Sequence, residues 1–212
     1  MRFATLQWIP FLPVLTAVLI GGCARNEPRD AVETLVFSVD STLMGGESLV
    51  LEDNGVAVGF PAGWLPLEAS AVARLDSAAH IVIGDDAPVQ QCLSARTDST
   101  GQSIFALTAI KTRDTAAVAR LLDRYAGAAV APGVEMRRAR FRSGAFIVSQ
   151  LLVMSADLVV FRMIYTSEGA SAAVQLDWYV ARAQYEALVR TIESVAGSVR
   201  RLPTNHSQGD AS

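Results

Sequence analysis

The chain has 212 residues, 51% of them hydrophobic, and its 18 basic and 21 acidic side chains leave a net charge of −3. So mild an acidic balance argues against a general affinity for nucleic acid or for anionic lipid surfaces. Two cysteines exclude a disulfide-built scaffold, and the length suits one ordinary domain with a sizeable core, not two.

The first segment reads "MRFATLQWIPFLPVLTAVLIGGC". Arg2 precedes an apolar stretch from Trp8 to Ile20, which Pro10 and Pro13 interrupt. A bilayer span needs about 20 apolar residues, so this stretch is short for one. Residues 1–22 therefore read as a removable export signal, with Gly21 and Gly22 as its small closing residues. Ile20-Gly21-Gly22-Cys23 resembles the lipobox of bacterial lipoproteins, with Ile20 where leucine is commonest. The resemblance implies that Cys23 becomes the acylated first residue of the mature chain. The competing reading is an ordinary signal with an accidental cysteine. Several acyl chains, at about 0.8 kcal/mol per buried CH₂, would make the attachment durable. The partner implied here is the lipid bilayer, on the periplasmic side of a bacterial cell envelope. Ala24, a non-acidic residue after the cysteine, implies outer-membrane sorting in a diderm organism.

Residues 23–33 hold Cys23 and a polar tether, and residues 34–47, "TLVFSVDSTLMGGE", have no evident place. "SLVLEDNGVAVGF" sets Asn54-Gly55 between two apolar runs, a hairpin signal. "PAGWLP" breaks the second strand, and residues 68–78 are alanine-rich enough for a short helix. "VQQCLSART" and "QSIFALTAIKT" predict two strands joined at "DSTGQ". A helix follows, capped by Asp114 or Thr115, with Val118, Leu121, Leu122 and Tyr125 on one stripe and Gly127 as its terminator.

"GVEMRRARF", "AFIVSQLLVMS", "LVVFRMIYT" and "AAVQLDWYV" are strand-like, and their separators are too short for parallel crossovers. On the last strand Val174, Leu176 and Trp178 share one face, and Gln175, Asp177 and Tyr179 the other. The closing helix carries Tyr185, Leu188, Val189, Ile192, Val195, Ala196 and Val199 opposite Arg182, Glu186, Arg190 and Glu193. The fold class is α+β: one antiparallel sheet with packed helices and a long C-terminal amphipathic helix. Residues 203–212, "PTNHSQGDAS", read as a disordered tail.

"VAVGFPAGW" (56–64) and "VQLDWYV" (174–180), the latter leading into the helix with Ile192-Glu193-Ser194, resemble the PsbP-like domains. The resemblance covers residues 48–202 and implies an α/β/α sandwich in a family that acts mostly in binding or assembly. It carries over no catalytic residue. Phe60, Pro61 and Trp64 are expected to close one end of the core.

No catalytic motif, phosphate loop or dinucleotide fingerprint is present, and no cofactor or metal is expected. His206 lies in the tail and His80 abuts "IVIG", so both read as structural. Asp85-Asp86 is a solvated loop pair rather than a calcium site. With Cys23 acylated, Cys92 stands alone, and it reads as a small hydrophobe rather than a reactive thiol. The best candidate site is Arg138, Arg140 and Arg142, on one face of a strand with Arg137 opposite. They either grip an anionic partner or pair with acids on a neighbouring element. The expected function is a membrane-anchored envelope lipoprotein of non-catalytic binding or assembly type, engaging a protein partner of the envelope and not nucleic acid. The alternatives are an envelope enzyme with a scattered, loop-built active site, which a cleft joining His80 or Cys92 to a carboxylate would favour, and a carrier of an apolar ligand.

Overall fold

The strand-like segments of residues 133–180 fold as a run of antiparallel strands, each paired with the next. The structure, a computed structural model, describes residues 32–84, 88–112, 114–167 and 172–203. Its elements are β1 (Met44–Leu51), β2 (Val56–Pro61), β3 (Leu65–Pro66), α1 (Ala69–Ile83), β4 (Val89–Thr97), β5 (Ser103–Lys111), α2 (Thr115–Ala128), β6 (Glu135–Ser143), β7 (Phe146–Met154), β8 (Leu158–Ser167), β9 (Ala173–Ala181), α3 (Tyr185–Ser198) and β10 (Arg200–Arg201). The main sheet runs β3-β4-β5-β9-β8-β7-β6, antiparallel throughout.

The α+β class with an antiparallel sheet, packed helices and an amphipathic C-terminal helix is the observed architecture. The expectation of one sheet needs correction. The Asn54-Gly55 hairpin forms, with Gly55 at φ 63°, but β1 and β2 join β10 in a second, three-stranded sheet. That sheet and α3 cover one face of the main sheet, and α1 and α2 cover the other.

Two helix boundaries also differ from expectation. The alanine-rich helix runs to Ile83, beyond the predicted residue 78. Asp114 caps α2 by accepting from the Ala116 N–H at 2.8 Å, yet Gly127 lies inside that helix, which ends at Ala128.

β9 sits at the centre of the main sheet and is covered on both faces. Val174, Leu176 and Trp178 face α3 and the second sheet. The Trp178 ring meets Phe105 at 4.6 Å and Trp64 edge-on at 5.4 Å, while Phe60 packs against Phe105 at 6.2 Å. Phe60 and Trp64 thus close the core, as expected of them.

Residues 34–47 have a place after all. Arg142 donates its N–H to the Glu33 carbonyl (2.7 Å), and the Leu35 N–H donates to the Arg142 carbonyl (2.8 Å), so this segment lies parallel to β6 at one point. Phe37 then packs edge-on against Phe141 at 5.7 Å. Asp40 reaches α3, its N–H donating to Ser194 Oγ (3.1 Å) and its carboxylate accepting from Arg190 (2.9 Å). The segment is a strap from the β6 edge across α3 and into β1, which begins at Met44, ahead of the predicted residue 48.

Gly197 permits this crossing. A Cβ there would stand 2.8 Å from Val39 Cγ2 and 3.1 Å from both the Phe37 Cβ and its carbonyl oxygen. Gly197→Ala gains at most about 1 kcal/mol of helix propensity, whereas overpacking costs about 1–3 kcal/mol. The denaturant midpoint is therefore expected to fall for Gly197→Ala. Gly127→Ala is the control: nothing lies within 4 Å of its added Cβ, so its midpoint should rise.

Candidate functional site

The three arginines stand where alternation predicts, on edge strand β6 and on the face covered by α2. All three are exposed. Arg138 forms a short ion pair with Asp123 of α2. That pair is exposed at both ends, so it adds no more than about 1 kcal/mol. Among the described residues no acid lies within ion-pair distance of Arg140 or Arg142. Pairing with acids on a neighbouring helix thus accounts for one arginine of the three. Arg140 lines an open groove of ≈ 290 Å³ with Ala116 and Ala119 of α2, Ser149 and Thr166. Arg137, on the opposite face, approaches Glu135 at 3.7 Å.

The same sheet face carries a second charged group that periodicity did not reveal. Arg138 is opposite Leu151, Leu151 opposite Arg162, and Arg162 opposite Asp177, so all four point the same way. Arg162 and Asp177 are 5% and 4% exposed. Arg162 Nε donates to Asp177 Oδ1, and Gln175 Nε2 donates to Asp177 Oδ2 at 2.7 Å. The guanidinium lies 3.2 Å from the centroid of the Tyr125 ring, and the Tyr125 hydroxyl donates to Gln90 Oε1 at 3.0 Å. Burial opposes the arginine's charge, but Asp177 and the surrounding tyrosines hold its pKa above the ordinary value. This cluster is enclosed between sheet and helices, and its chemistry is to fix α2 on the sheet.

The enzyme alternative draws on His80 or Cys92 beside a carboxylate. Asp76, His80 and Cys92 do gather. The Cys92 N–H donates to Asp76 Oδ1 at 2.8 Å, and His80 Nδ1 donates to the Asp76 carbonyl of its own helix at 2.8 Å. The thiol, half-buried, points elsewhere, with Sγ 3.8 Å from the Ser94 carbonyl oxygen. Burial and the charges of Asp76 and Asp177 raise its pKa, the opposite of what an activated nucleophile needs. His80 is exposed on α1 rather than packed in the core.

A larger open groove of ≈ 780 Å³ runs between the β1–β2 turn and β4–β5, lined by Glu52, Asp53, Gln91, Leu93 and Lys111. Among the described residues no group of three His, Cys, Asp or Glu could hold a metal ion, and no helix is long and apolar enough to cross a membrane. Residues 1–22, expected to form an export signal, and Cys23, Asp85-Asp86 and His206 lie outside the described residues.

No protein-family model and no curated protein matches the chain. Several solved structures are similar to it. PsbP from Synechocystis sp. PCC 6803 shares 9% identity over 73% of this chain and 91% of its own, with a TM-score of 0.48. The Ran-binding protein Mog1p of Saccharomyces cerevisiae shares 10% over 76% and 97%, with a TM-score of 0.47. LpqN, involved in cell envelope biogenesis of Mycobacterium tuberculosis, shares 15% over 74% and 90%, with a TM-score of 0.45. At these identities the likeness is one of architecture.

Two expectations follow from the buried cluster. Asp177→Ala leaves the Arg162 charge unmet and should cost about 3–5 kcal/mol. Replacing Arg162 by Met and Asp177 by Leu together should recover most of that loss in denaturant unfolding.

The second concerns alkaline pH. Tyr125 and Tyr165 have raised pKa values because of burial, and Tyr179 because of the Asp177 charge and then burial. An unfolded tyrosine ionises near pH 10. Above that pH the unfolded chain loses these protons first, so stability is full below about pH 10 and falls as pH rises. Phenolate absorbance should therefore appear late and together with the loss of folded circular dichroism.

Proposed function

We propose that the chain is a bacterial envelope lipoprotein whose Val32-onward domain binds a protein partner and performs no catalysis. Acylation of Cys23 anchors it on the periplasmic side, at the outer membrane where the organism has one. The support for anchoring is the Ile20-Gly21-Gly22-Cys23 motif behind a short apolar core. The observation that carries the binding reading is the β6 edge. Exposed Arg140 and Arg142 have no acid at ion-pair distance among the described residues, in a chain whose net charge is −3. A cationic strip on an acidic domain attracts an anionic partner locally, without a general attraction to polyanions. The half-buried Cys92 thiol, turned toward the Ser94 carbonyl and with a raised pKa, speaks against that residue as a nucleophile.

One experiment with two variants tests this. Cys23→Ser should abolish labelling by a palmitate analogue and leave an unprocessed precursor; equal labelling of the variant would refute the anchor. Arg138, Arg140 and Arg142 replaced together by Gln should leave a folded, labelled protein that loses a salt-sensitive partner in envelope pull-downs. An unchanged partner list would remove the arginine edge as the binding site.

A further inference from the structure

We infer that the outer edge of β6 is a docking site for an extended acidic segment of a partner protein, which adds to the main sheet as a further strand. This rests on the binding reading of the arginine edge and names the partner's chemistry.

The main chain supplies the first argument. The N–H and C=O of Arg142 point away from β7, because both are taken by Glu33 and Leu35. The β6–β7 register is unbroken from Glu135 to Ser143, so the main-chain groups of Arg140, Arg138 and Met136 point outward as well. Among the described residues nothing pairs with these three. The strap shows that this edge accepts an extended segment, since it hydrogen-bonds there at Arg142. Beyond that bridge the edge offers a row of donors and acceptors for strand addition.

Charge then selects the occupant. Arg138, Arg140 and Arg142 project on one face at alternate positions. A strand added alongside places its own alternate side chains next to them, where opposite charges stabilise the pairing and like charges oppose it. A second copy of this chain is disfavoured for that reason, because antiparallel β6–β6 pairing sets arginine against arginine. Acidic residues at every second position satisfy the row. The groove beside Arg140, with Ser149 and Thr166 in its wall, leaves room for a carboxylate on the α2 side.

The test uses the full-length chain and three synthetic peptides: glutamate alternating with threonine, its glutamine counterpart, and the glutamate peptide N-methylated at every second residue to block its hydrogen-bonding edge. The glutamate peptide alone is expected to bind. It should protect the Met136, Arg138 and Arg140 amides from hydrogen exchange, and its affinity should fall about tenfold or more with added salt. A variant carrying Arg138→Gln and Arg140→Gln, with an unchanged melting profile, should weaken it about as much. Equal binding of the N-methylated peptide would overturn strand addition, and equal binding of the glutamine peptide would overturn charge selection. Protection of the three amides in the chain alone would also overturn the inference, since the edge would already be covered by a second copy or otherwise. If no peptide binds while the envelope partner still depends on the arginines, strand addition fails and the broader binding reading stands.

Discussion

Asp177 stands in the central strand of a sheet covered on both faces, and its carboxylate has to be met inside the fold. Taking an ion out of water costs several kcal/mol even after relaxation, so a lone acid here would be untenable. Arg162, directly opposite on β8, supplies the countercharge, and Gln175 fills the second oxygen. The guanidinium in turn needs a cover that does not compete for its protons. The Tyr125 ring provides one, and the tyrosine hydroxyl is then satisfied by Gln90 on β4. One buried acid thus ties together β9, β8, α2 and β4. Apolar contacts can slide, but this set has a narrow range of acceptable geometries, so it fixes where α2 lies on the sheet.

The opposite face is held by shape rather than charge. α3 approaches β2 closely at Gly59, whose N–H donates to Ser198 Oγ at 2.9 Å. The strap crosses the same helix at Gly197. Tyr165 on β8 donates its hydroxyl to the Ala196 carbonyl at 3.1 Å, giving the last turn of α3 a partner from the main sheet. Small residues where the chain crosses itself and large rings between them let Trp178 be fully enclosed. The three-stranded sheet then closes this layer as a lid of hairpin and helix, not as an extension of the main sheet.

Local patterns were legible where one element settles them. Strand-like runs with separators too short for crossovers located β6 to β9, the Asn54-Gly55 pair located the first hairpin, and the 3.6-residue stripe located α3. The arginine stripe was legible for the same reason, since alternation assigns a face without reference to other strands. The second sheet was not, because β10 is two residues long and pairs with β2 from the far end of the chain. The extent of α1 was hidden because most of that helix is not buried, so no apolar stripe marks its end. The Arg162–Asp177 pair was hidden differently. Each residue alone reads as an ordinary polar position on an alternating strand, and only the β8–β9 register sets one opposite the other. Asp123 as the partner of Arg138 required knowing how α2 lies on the sheet, which the buried pair decides.

A single row of the sheet therefore holds arginines in two roles, and solvent separates them. Arg162 sits two strands in from Arg138 on the same face. Inside, a guanidinium is tolerated only with its counterion, its ring and its remaining hydrogen bonds in place, so the residue is committed to the fold. At the edge, water screens the charge, the pairing with Asp123 contributes little, and the same side chain remains free to meet another partner. Edge strands need some device against random pairing, and charge is a common one. A stripe of one sign excludes like-charged and neutral strands more strongly than it excludes an acidic one. Protection against aggregation and the selection of an acidic partner that we propose would then be one physical property of β6, with no separate feature of the domain needed to supply the second.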